Sequence, residues 1–156
     1  MKRILFVCHG NICRSPMAEY VLKDMVRKKG IEDRFVIDSA ATSREETGNP
    51  VYPPARRKLA EKGVPCGGHR AWQMTKRDYD DFDMIICMDY NNIRNIKRIT
   101  GGDPDSKISM LLEYTDRAGD EVADPWYTGN FDATWRDVVD GCEGLLETLL
   151  RTDKNR

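Results

Sequence analysis

Short apolar runs alternate along the chain with segments of helical periodicity. The runs that predict strands lie at residues 3–7, 35–40, 83–88 and, more weakly, 108–112. Strands that alternate with helices are typical of α/β proteins with a parallel sheet. The sequence contains no internal repeat or linker-like segment, so we expect one domain over residues 1–156.

The first helix has the clearest boundaries and is predicted at residues 16–29. Ser15 is a good N-cap, Pro16 suits the first helical position, and Gly30 can end a helix. A second helix is predicted at residues 55–62. Two more are predicted with N-caps at Thr75 and Asp89, the first of them ending at Phe82. The last is predicted at residues 131–149, where apolar residues form an amphipathic stripe.

Charge and composition exclude several classes of function. The 25 Lys and Arg residues and 26 Asp and Glu residues give a formal net charge of -1, so we expect neither nucleic acid nor a membrane surface as a partner. The N-terminal apolar run is too short for a signal peptide, and no run approaches membrane-spanning length. The five cysteines lack a Cys-x-x-Cys pair, which favours reduced thiols in a cytoplasmic protein.

The strongest chemical signal joins the first predicted strand to the first predicted helix, and it reads Cys8-His9-Gly10-Asn11-Ile12-Cys13-Arg14-Ser15. Phosphate at a helix N-terminus meets unpaired backbone N–H groups and the positive end of the helix dipole. Gly10 and Asn11 tolerate the backbone angles that a loop curled around an anion needs. Arg14 can bind two phosphate oxygens with its planar guanidinium. The segment therefore predicts an anion site.

The same positive field favours the thiolate form of Cys8, which is the nucleophilic form. Ser15 can donate a hydrogen bond to that sulfur. We expect no metal or cofactor, because the loop amides and Arg14 already supply positive charge. The alternative is that Cys8 is a small core residue and Arg14 a surface residue. The coincidence of thiol, glycine, arginine and helix start at one junction favours function.

A thiolate that attacks phosphorus needs an acid to protonate the leaving oxygen. Asp124 is the candidate, within a long polar segment at residues 113–130 that we expect to be a functional loop. Pro125 restricts Asp124 to extended geometry, and Trp126 and Tyr127 could form walls around a flat ring. On these residues alone, a turn with aromatic anchors is an equally good interpretation.

Three motifs together resemble the low-molecular-weight protein tyrosine phosphatases over essentially the whole chain: the Cys8 loop continued by Ser15-Pro16-Met17-Ala18-Glu19, then Asp38-Ser39-Ala40, then Asp124-Pro125. The resemblance implies a single-domain three-layer sandwich, with a four-stranded parallel sheet flanked by helices. It implies that Cys8 forms a phosphocysteine and that Arg14 binds phosphate and stabilises the transition state. By the same resemblance, Asp124 protonates tyrosine and then activates water.

The resemblance also assigns supporting residues. Asn11 is expected to hold the strained loop through contacts with Ser39 and His69, and Asp89 is expected to orient Arg14. The residues expected to contact the substrate or its phosphate are His9, Gly10, Asn11, Ile12, Cys13, Ser15, Trp126, Tyr127 and Glu45, the last in a predicted entrance loop at residues 42–54.

Cys13 has two possible roles. In the family, the matching cysteine traps the oxidised nucleophile as a disulfide, which would protect Cys8 from over-oxidation. A packing role inside the loop is the alternative. Cys66, Cys87 and Cys142 are expected to be structural.

Two rival enzymes share the loop. Arsenate reductases of this fold need two further cysteines; Cys87 matches the first, but Arg94 stands at the second position. Protein-arginine phosphatases carry threonine where Ile12 stands, and the apolar Ile12 favours an aryl phosphate. A non-catalytic phosphopeptide-binding module would have lost one of the three catalytic residues. We expect a monomer that acts on phosphotyrosine-containing proteins.

Overall fold

A four-stranded parallel sheet lies at the centre of the computed structural model, which describes residues 1–154. The strand order is β2-β1-β3-β4, and every pairing is parallel. The strands are β1 (Lys2–Cys8), β2 (Phe35–Ala41), β3 (Met84–Cys87) and β4 (Ile108–Met110). The expected four-stranded parallel sheet is confirmed.

Helices cover both faces of the sheet. They are α1 (Arg14–Lys28), α2 (Pro53–Glu61), α3 (Lys76–Asp81), α4 (Tyr90–Thr100), α5 (Pro125–Thr128) and α6 (Phe131–Lys154), with 3-10 turns at Glu32–Arg34 and Leu111–Tyr114. One apolar cluster joins the sheet to α1, α2 and α6, and a second joins the opposite face to α3 and α4. This arrangement is the expected three-layer sandwich.

Strand β1 contributes to both clusters because its side chains alternate between the two faces. Ile4 and Phe6 lie in the cluster with α1 and α6, whereas Leu5 and Val7 lie in the other. All four are fully buried. Burial on both faces explains why the strand is a continuous apolar run in the sequence.

The start of α1 differs from the prediction. The helix begins at Arg14 with Cys13 at the N-cap position, so the prediction that Ser15 caps it is wrong. The Ser15 hydroxyl is instead engaged by the side chains of Cys8 and Asn11, which leaves no capping role for it. Gly30 has a φ of 69° just beyond the helix, as expected of a helix stop.

Other elements also differ from the prediction. Pro53 and Pro54 form the first turn of α2, where we predicted loop; prolines fit there because first-turn N–H groups have no intrahelical partner. Strand β4 ends at Met110, because a 3-10 turn replaces its predicted last residues. The predicted loop at residues 113–130 contains the single helical turn α5.

The loop after β1 occupies the point where the chain connections diverge, since β2 lies on one side of β1 and β3 on the other. Such a switch point at the carboxyl ends of parallel strands leaves a crevice in which ligands bind. Within residues 1–154, no helix combines the length and apolar character needed to cross a bilayer.

Candidate active site

The loop after β1 lines a cleft of about 340 Å³ and has Cys8 at its base. The Cys8 sulfur lies 3.0 Å from Ser15 Oγ and accepts a hydrogen bond from the backbone N–H of Asn11 at 3.3 Å. Asn11 has a φ of 61°, in the left-handed region that asparagine tolerates better than most residues. The loop therefore curls around the Cys8 sulfur, so that a backbone N–H group and the Ser15 hydroxyl both contact it.

The Asn11 side chain fixes this conformation from inside the protein. Its amide nitrogen donates to Ser15 Oγ at 2.8 Å and to Ser39 Oγ at 3.0 Å. Its oxygen accepts from His69 Nε2 at 2.8 Å and from the backbone N–H of Trp72 at 3.3 Å. Because Asn11 is fully buried, these four contacts satisfy polar atoms that water cannot reach.

The direction of these hydrogen bonds determines what Ser15 offers to the nucleophile. Ser15 Oγ accepts a hydrogen from Asn11, so its own hydrogen is available for the Cys8 sulfur. Ser39 accepts from Asn11 in the same way and donates its hydrogen to Glu19 Oε1 at 2.6 Å. A hydrogen bond donated to the sulfur stabilises the thiolate form of Cys8.

Arg14 is buried and faces the cleft from the first turn of α1. Its Nη1 donates to Asp89 Oδ2 at 3.0 Å and to the carbonyl of Val122 at 3.2 Å. Its Nη2 lies 3.4 Å from Asp124 Oδ2. Burial alone lowers the pKa of Arg14, but the charges of Cys8, Asp124 and Asp89 outweigh it and raise that pKa above its ordinary value. Arg14 is therefore a permanent cation in the cleft.

Asp89 contacts both helix α4 and Arg14 of helix α1. It is the N-cap of α4, where its side chain accepts from the backbone N–H of Asn92 at 2.8 Å, and it also contacts Arg14. The expected contact between Asp89 and Arg14 is present in the structure.

Asp124 lines the same cleft as Cys8 and is the N-cap of α5. Its backbone is extended, with φ −92° and ψ 107°, as the following Pro125 led us to expect. Its Oδ1 accepts from the backbone N–H of Trp126 at 3.0 Å, and its Oδ2 points to Arg14. The side chain is 27% exposed, so it borders both the protein and the solvent.

Trp126 and Tyr127 stand at the mouth of the cleft, 60% and 86% exposed. Trp126 leans against Tyr52, with ring centroids 5.3 Å apart. Pro125 is the buried residue of α5. Because both aromatic side chains are more than half exposed, the interpretation of them as anchors to the core is wrong.

Two acidic residues also line the cleft. Glu45 and Glu46 both line the cleft, and Glu45 Oε2 lies 3.0 Å from His9 Nε2. Glu46 accepts from the side chain of Asn49 at 2.6 Å. The predicted contact residue Glu45 is thus at the entrance, but its carboxylate is already engaged by His9.

The five cysteines are all unpaired in the part of the chain that the structure describes. Burial, followed by the charges of Cys8 and Asp124, raises the pKa of the Cys13 thiol to about 12. Burial also raises the pKa of Cys87 and of Cys142, both of which lie in the apolar core. Cys13 therefore borders the cleft as a neutral thiol.

Sequence reasoning gave no role to Glu19, which supports the loop from below. Glu19 is 3% exposed, and Lys23 Nζ lies 2.6 Å from its Oε2. His69 Nδ1 lies 3.6 Å from its Oε1. Glu19, Asp38 and His69 are close enough to share a metal ion, but Lys23, Ser39 and Asn11 already engage them. The available signal was a charged residue inside the apolar run at residues 17–22.

A cysteine at the base of an amide-lined loop, faced by a buried arginine and an aspartate, is the arrangement of a cysteine-dependent phosphatase. Comparison with known proteins specifies the family. The family model described as low molecular weight phosphotyrosine protein phosphatase matches residues 3–155, and the chain belongs to this family.

Relatives and solved structures agree with that assignment. The chain is 41% identical to the low molecular weight protein-tyrosine-phosphatase YfkJ of Bacillus subtilis, over 96% of each chain. It superposes on the crystal structure of YfkJ with a TM-score of 0.93, covering 97% of this chain and 96% of that one. It is 40% identical to the low molecular weight phosphotyrosine protein phosphatase of Gallus gallus, over 94% of this chain and 95% of the relative.

A structural neighbour of different specificity is also similar. The crystal structure named drosophila arginine phosphatase has a TM-score of 0.85 and 31% identity, covering 96% of this chain and 98% of that one. The fold is therefore shared by phosphatases with different named substrates, and the choice between them depends on the residues of the cleft.

Proposed function

We propose that this protein hydrolyses phosphotyrosine in proteins, and small aryl phosphates, through a phosphocysteine on Cys8. The observation that carries the proposal is the convergence of Cys8, Arg14 and Asp124 on one cleft, since Asp124 lies more than one hundred residues beyond the Cys8 loop in the sequence. They supply the three groups that the reaction needs: a nucleophile, a fixed cation for the phosphate oxygens and a proton donor.

In the first step, the Cys8 thiolate attacks phosphorus. The S–P bond forms as the bond between phosphorus and the tyrosine oxygen breaks, and Asp124 transfers its proton to that oxygen. Arg14 and the loop N–H groups bind the equatorial phosphate oxygens, so charge that develops there meets donors that are already in place.

In the second step, Asp124 is a carboxylate and takes a proton from water. The water oxygen attacks phosphorus, the S–P bond breaks, and inorganic phosphate leaves. Cys8 departs as a thiolate, which the hydrogen bond from Ser15 stabilises. The protons balance over the cycle, since Asp124 gives one to tyrosine and regains one from water.

The cleft favours an aryl substrate over the rivals. Ile12 lines it as an apolar residue, and Trp126 offers a ring at the mouth. Both features suit a flat aromatic leaving group better than a charged guanidinium. A thiol relay for arsenate is disfavoured because Cys87 is buried in β3 and burial raises its pKa.

The test is a comparison of four substrates: p-nitrophenyl phosphate, a phosphotyrosine peptide, phosphoarginine and arsenate. We expect turnover of the first two and little of the others. The Cys8→Ser variant should lose all activity while its fold, measured by circular dichroism, is retained. Undiminished hydrolysis by Cys8→Ser would overturn the mechanism, and preferred hydrolysis of phosphoarginine would overturn the substrate.

We propose a reducing, cytoplasmic setting for the protein, which the unpaired cysteines of the described residues support. We further propose that Cys13 traps oxidised Cys8 as a disulfide, and that residues 1–156 act as one catalytic domain and as a monomer. Size-exclusion chromatography with light scattering tests the monomer directly.

A further inference from the structure

Helix α6 holds the backbone of Ala123, the residue immediately before Asp124. The Ala123 N–H donates to Asp137 Oδ2 at 3.0 Å, and its carbonyl accepts from Thr134 Oγ1 at 2.8 Å. Thr134 is fully buried and Asp137 is 9% exposed. The two lie three positions apart and therefore share a face of α6.

Burying the charged side chain of Asp137 opposes folding unless the charge has partners. A buried carboxylate costs free energy unless it is paired and hydrogen-bonded. Asp137 meets both conditions, because its Oδ1 lies 2.9 Å from Arg117 Nη1 while its Oδ2 accepts from Ala123. Arg117 also reaches the exposed Asp140 at 3.2 Å, and Asp140 has no hydrogen bond to Ala123 among the described contacts.

The neighbouring residue is held as well. Val122 N–H donates to the carbonyl of Met88 at 2.9 Å, and the Val122 carbonyl accepts from Arg14. Because peptide units are planar, fixing the N–H and C=O of Ala123 fixes the path of the chain into Asp124. The following Pro125 restricts the backbone on the other side. The position of the Asp124 carboxylate therefore depends on the two α6 residues.

We propose that Asp137 and Thr134 are positioning residues for the general acid, acting through the backbone of Ala123. This inference rests on the proposed role of Asp124. A misplacement of about 1 Å can cost roughly 100-fold in rate. Because the residues act through the proton donor, their loss should matter most for substrates whose leaving group must be protonated.

The experiment measures kcat/KM for phenyl phosphate, a poor leaving group, and for p-nitrophenyl phosphate, a good one. For Asp137→Ala we expect a fall of roughly 10- to 100-fold with phenyl phosphate and of less than about threefold with p-nitrophenyl phosphate. Asp137→Asn keeps an oxygen for the Ala123 N–H and should stay near the wild-type ratio. Asp140→Ala, the matched control, removes the other partner of Arg117 and should leave both values unchanged.

A second pair of variants tests the other side of Ala123. Thr134→Val removes the hydroxyl at nearly constant volume and should produce the same selective loss, whereas Thr134→Ser keeps the hydroxyl and should restore the ratio. These variants keep the proposal testable if Asp137→Ala does not fold, which thermal unfolding of each variant reveals.

The double variant Asp124→Ala/Asp137→Ala provides the decisive comparison. If Asp137 acts through the acid, its removal should cause no further selective loss once Asp124 is absent. A loss that persists in the Asp124→Ala background, or an equal loss on both substrates, would overturn the proposal. If Asp124→Ala itself shows no dependence on the leaving group, the proposed role of Asp124 fails and the positioning proposal fails with it.

Discussion

Arg14 and Asp124 face each other in the cleft, with guanidinium Nη2 3.4 Å from carboxylate Oδ2. The other guanidinium nitrogen is fixed by Asp89 and by the carbonyl of Val122. Under the proposed function, a phosphate group that binds Arg14 must approach the Asp124 carboxylate and compete with it. The acid should therefore oppose anion binding and yet assist departure of the leaving group.

This relationship predicts opposite effects of one substitution. Two like charges about 4 Å apart repel by about 1 kcal/mol in water and more in a protein interior. Because Asp124 is partly exposed, we expect Asp124→Ala to lower the inhibition constant of inorganic phosphate by about fivefold at neutral pH. The same variant should lower kcat/KM for a phosphotyrosine peptide by about 100- to 10,000-fold.

Steady-state kinetics with phosphate as a competitive inhibitor measures both quantities. Asp120→Ala is the matched control, since it removes an exposed carboxylate from the same connection. Unchanged or weaker phosphate inhibition in Asp124→Ala would contradict the proposed competition for Arg14.

Asp89 offers a way to separate stability from activity. Asp89→Ala removes the N-cap of α4, which typically costs about 1 kcal/mol, whereas Asn caps a helix about as well as Asp. Both substitutions remove the charged partner of Arg14, a hydrogen bond worth about 1.5 to 3 kcal/mol. Because only Asp89→Ala also loses the cap, we expect it to lose about 1 kcal/mol more stability in urea unfolding than Asp89→Asn, while kcat/KM for p-nitrophenyl phosphate falls at least about tenfold in both. Full activity in Asp89→Asn would show that the charge on Asp89 does not hold Arg14.

The Cys8 loop could be predicted from the sequence because its parts are contiguous. Strand, loop and helix follow one another, so local rules were sufficient to identify the nucleophile and Arg14. Asp124 is different, since it follows Arg14 by more than one hundred residues and local chemistry left its role undecided. The family resemblance, and not the pattern around Asp124, brought it to the site.

The missed residues share one property: their burial depends on distant neighbours. Glu19 and Asp137 are charged residues in helices, and such residues are usually exposed. Their partners Ser39 and Ala123 come from other elements, so the local sequence does not reveal these contacts; only the charge of Glu19 within the apolar run at residues 17–22 is a local signal. Ser15 shows the complementary limit, because the same hydroxyl could cap a helix or support a sulfur, and the fold of the loop decides between them.

Asn11 should control the reactivity of Cys8 through the direction of its hydrogen bonds. Asn11→Asp keeps the shape of the side chain but replaces the donor with an acceptor. Ser15 would then have to donate to residue 11, which withdraws its hydrogen from the Cys8 sulfur. Because a hydrogen bond to a charged group is worth at least about 1.5 kcal/mol, alkylation of Cys8 by iodoacetate near pH 6 should slow by roughly tenfold or more.

Mass spectrometry of the alkylated peptide follows this rate. Ser15→Ala removes the same donor directly and should match Asn11→Asp, and Ser43→Ala, whose hydroxyl contacts the His9 carbonyl, serves as the control. An unchanged rate in both Asn11→Asp and Ser15→Ala would exclude Ser15 as the group that stabilises the thiolate.

Cys13 should not react with an alkylating agent, but it should be essential for the enzyme to recover activity after oxidation. Since burial and the neighbouring negative charges raise its pKa to about 12, Cys13 stays protonated at any pH well below that value, and iodoacetate between about pH 6 and 8 should modify Cys8 alone.

If Cys13 traps oxidised Cys8 as the proposed disulfide, peroxide-treated wild type should regain activity with dithiothreitol. The Cys13→Ser variant should recover little activity, because the sulfenic acid formed on Cys8 oxidises further. Cys142→Ser, which changes a core cysteine remote from the cleft, is the matched control and should recover like the wild type. Peptide mapping that finds Cys13 alkylated as fast as Cys8, or full recovery of Cys13→Ser, would contradict these roles.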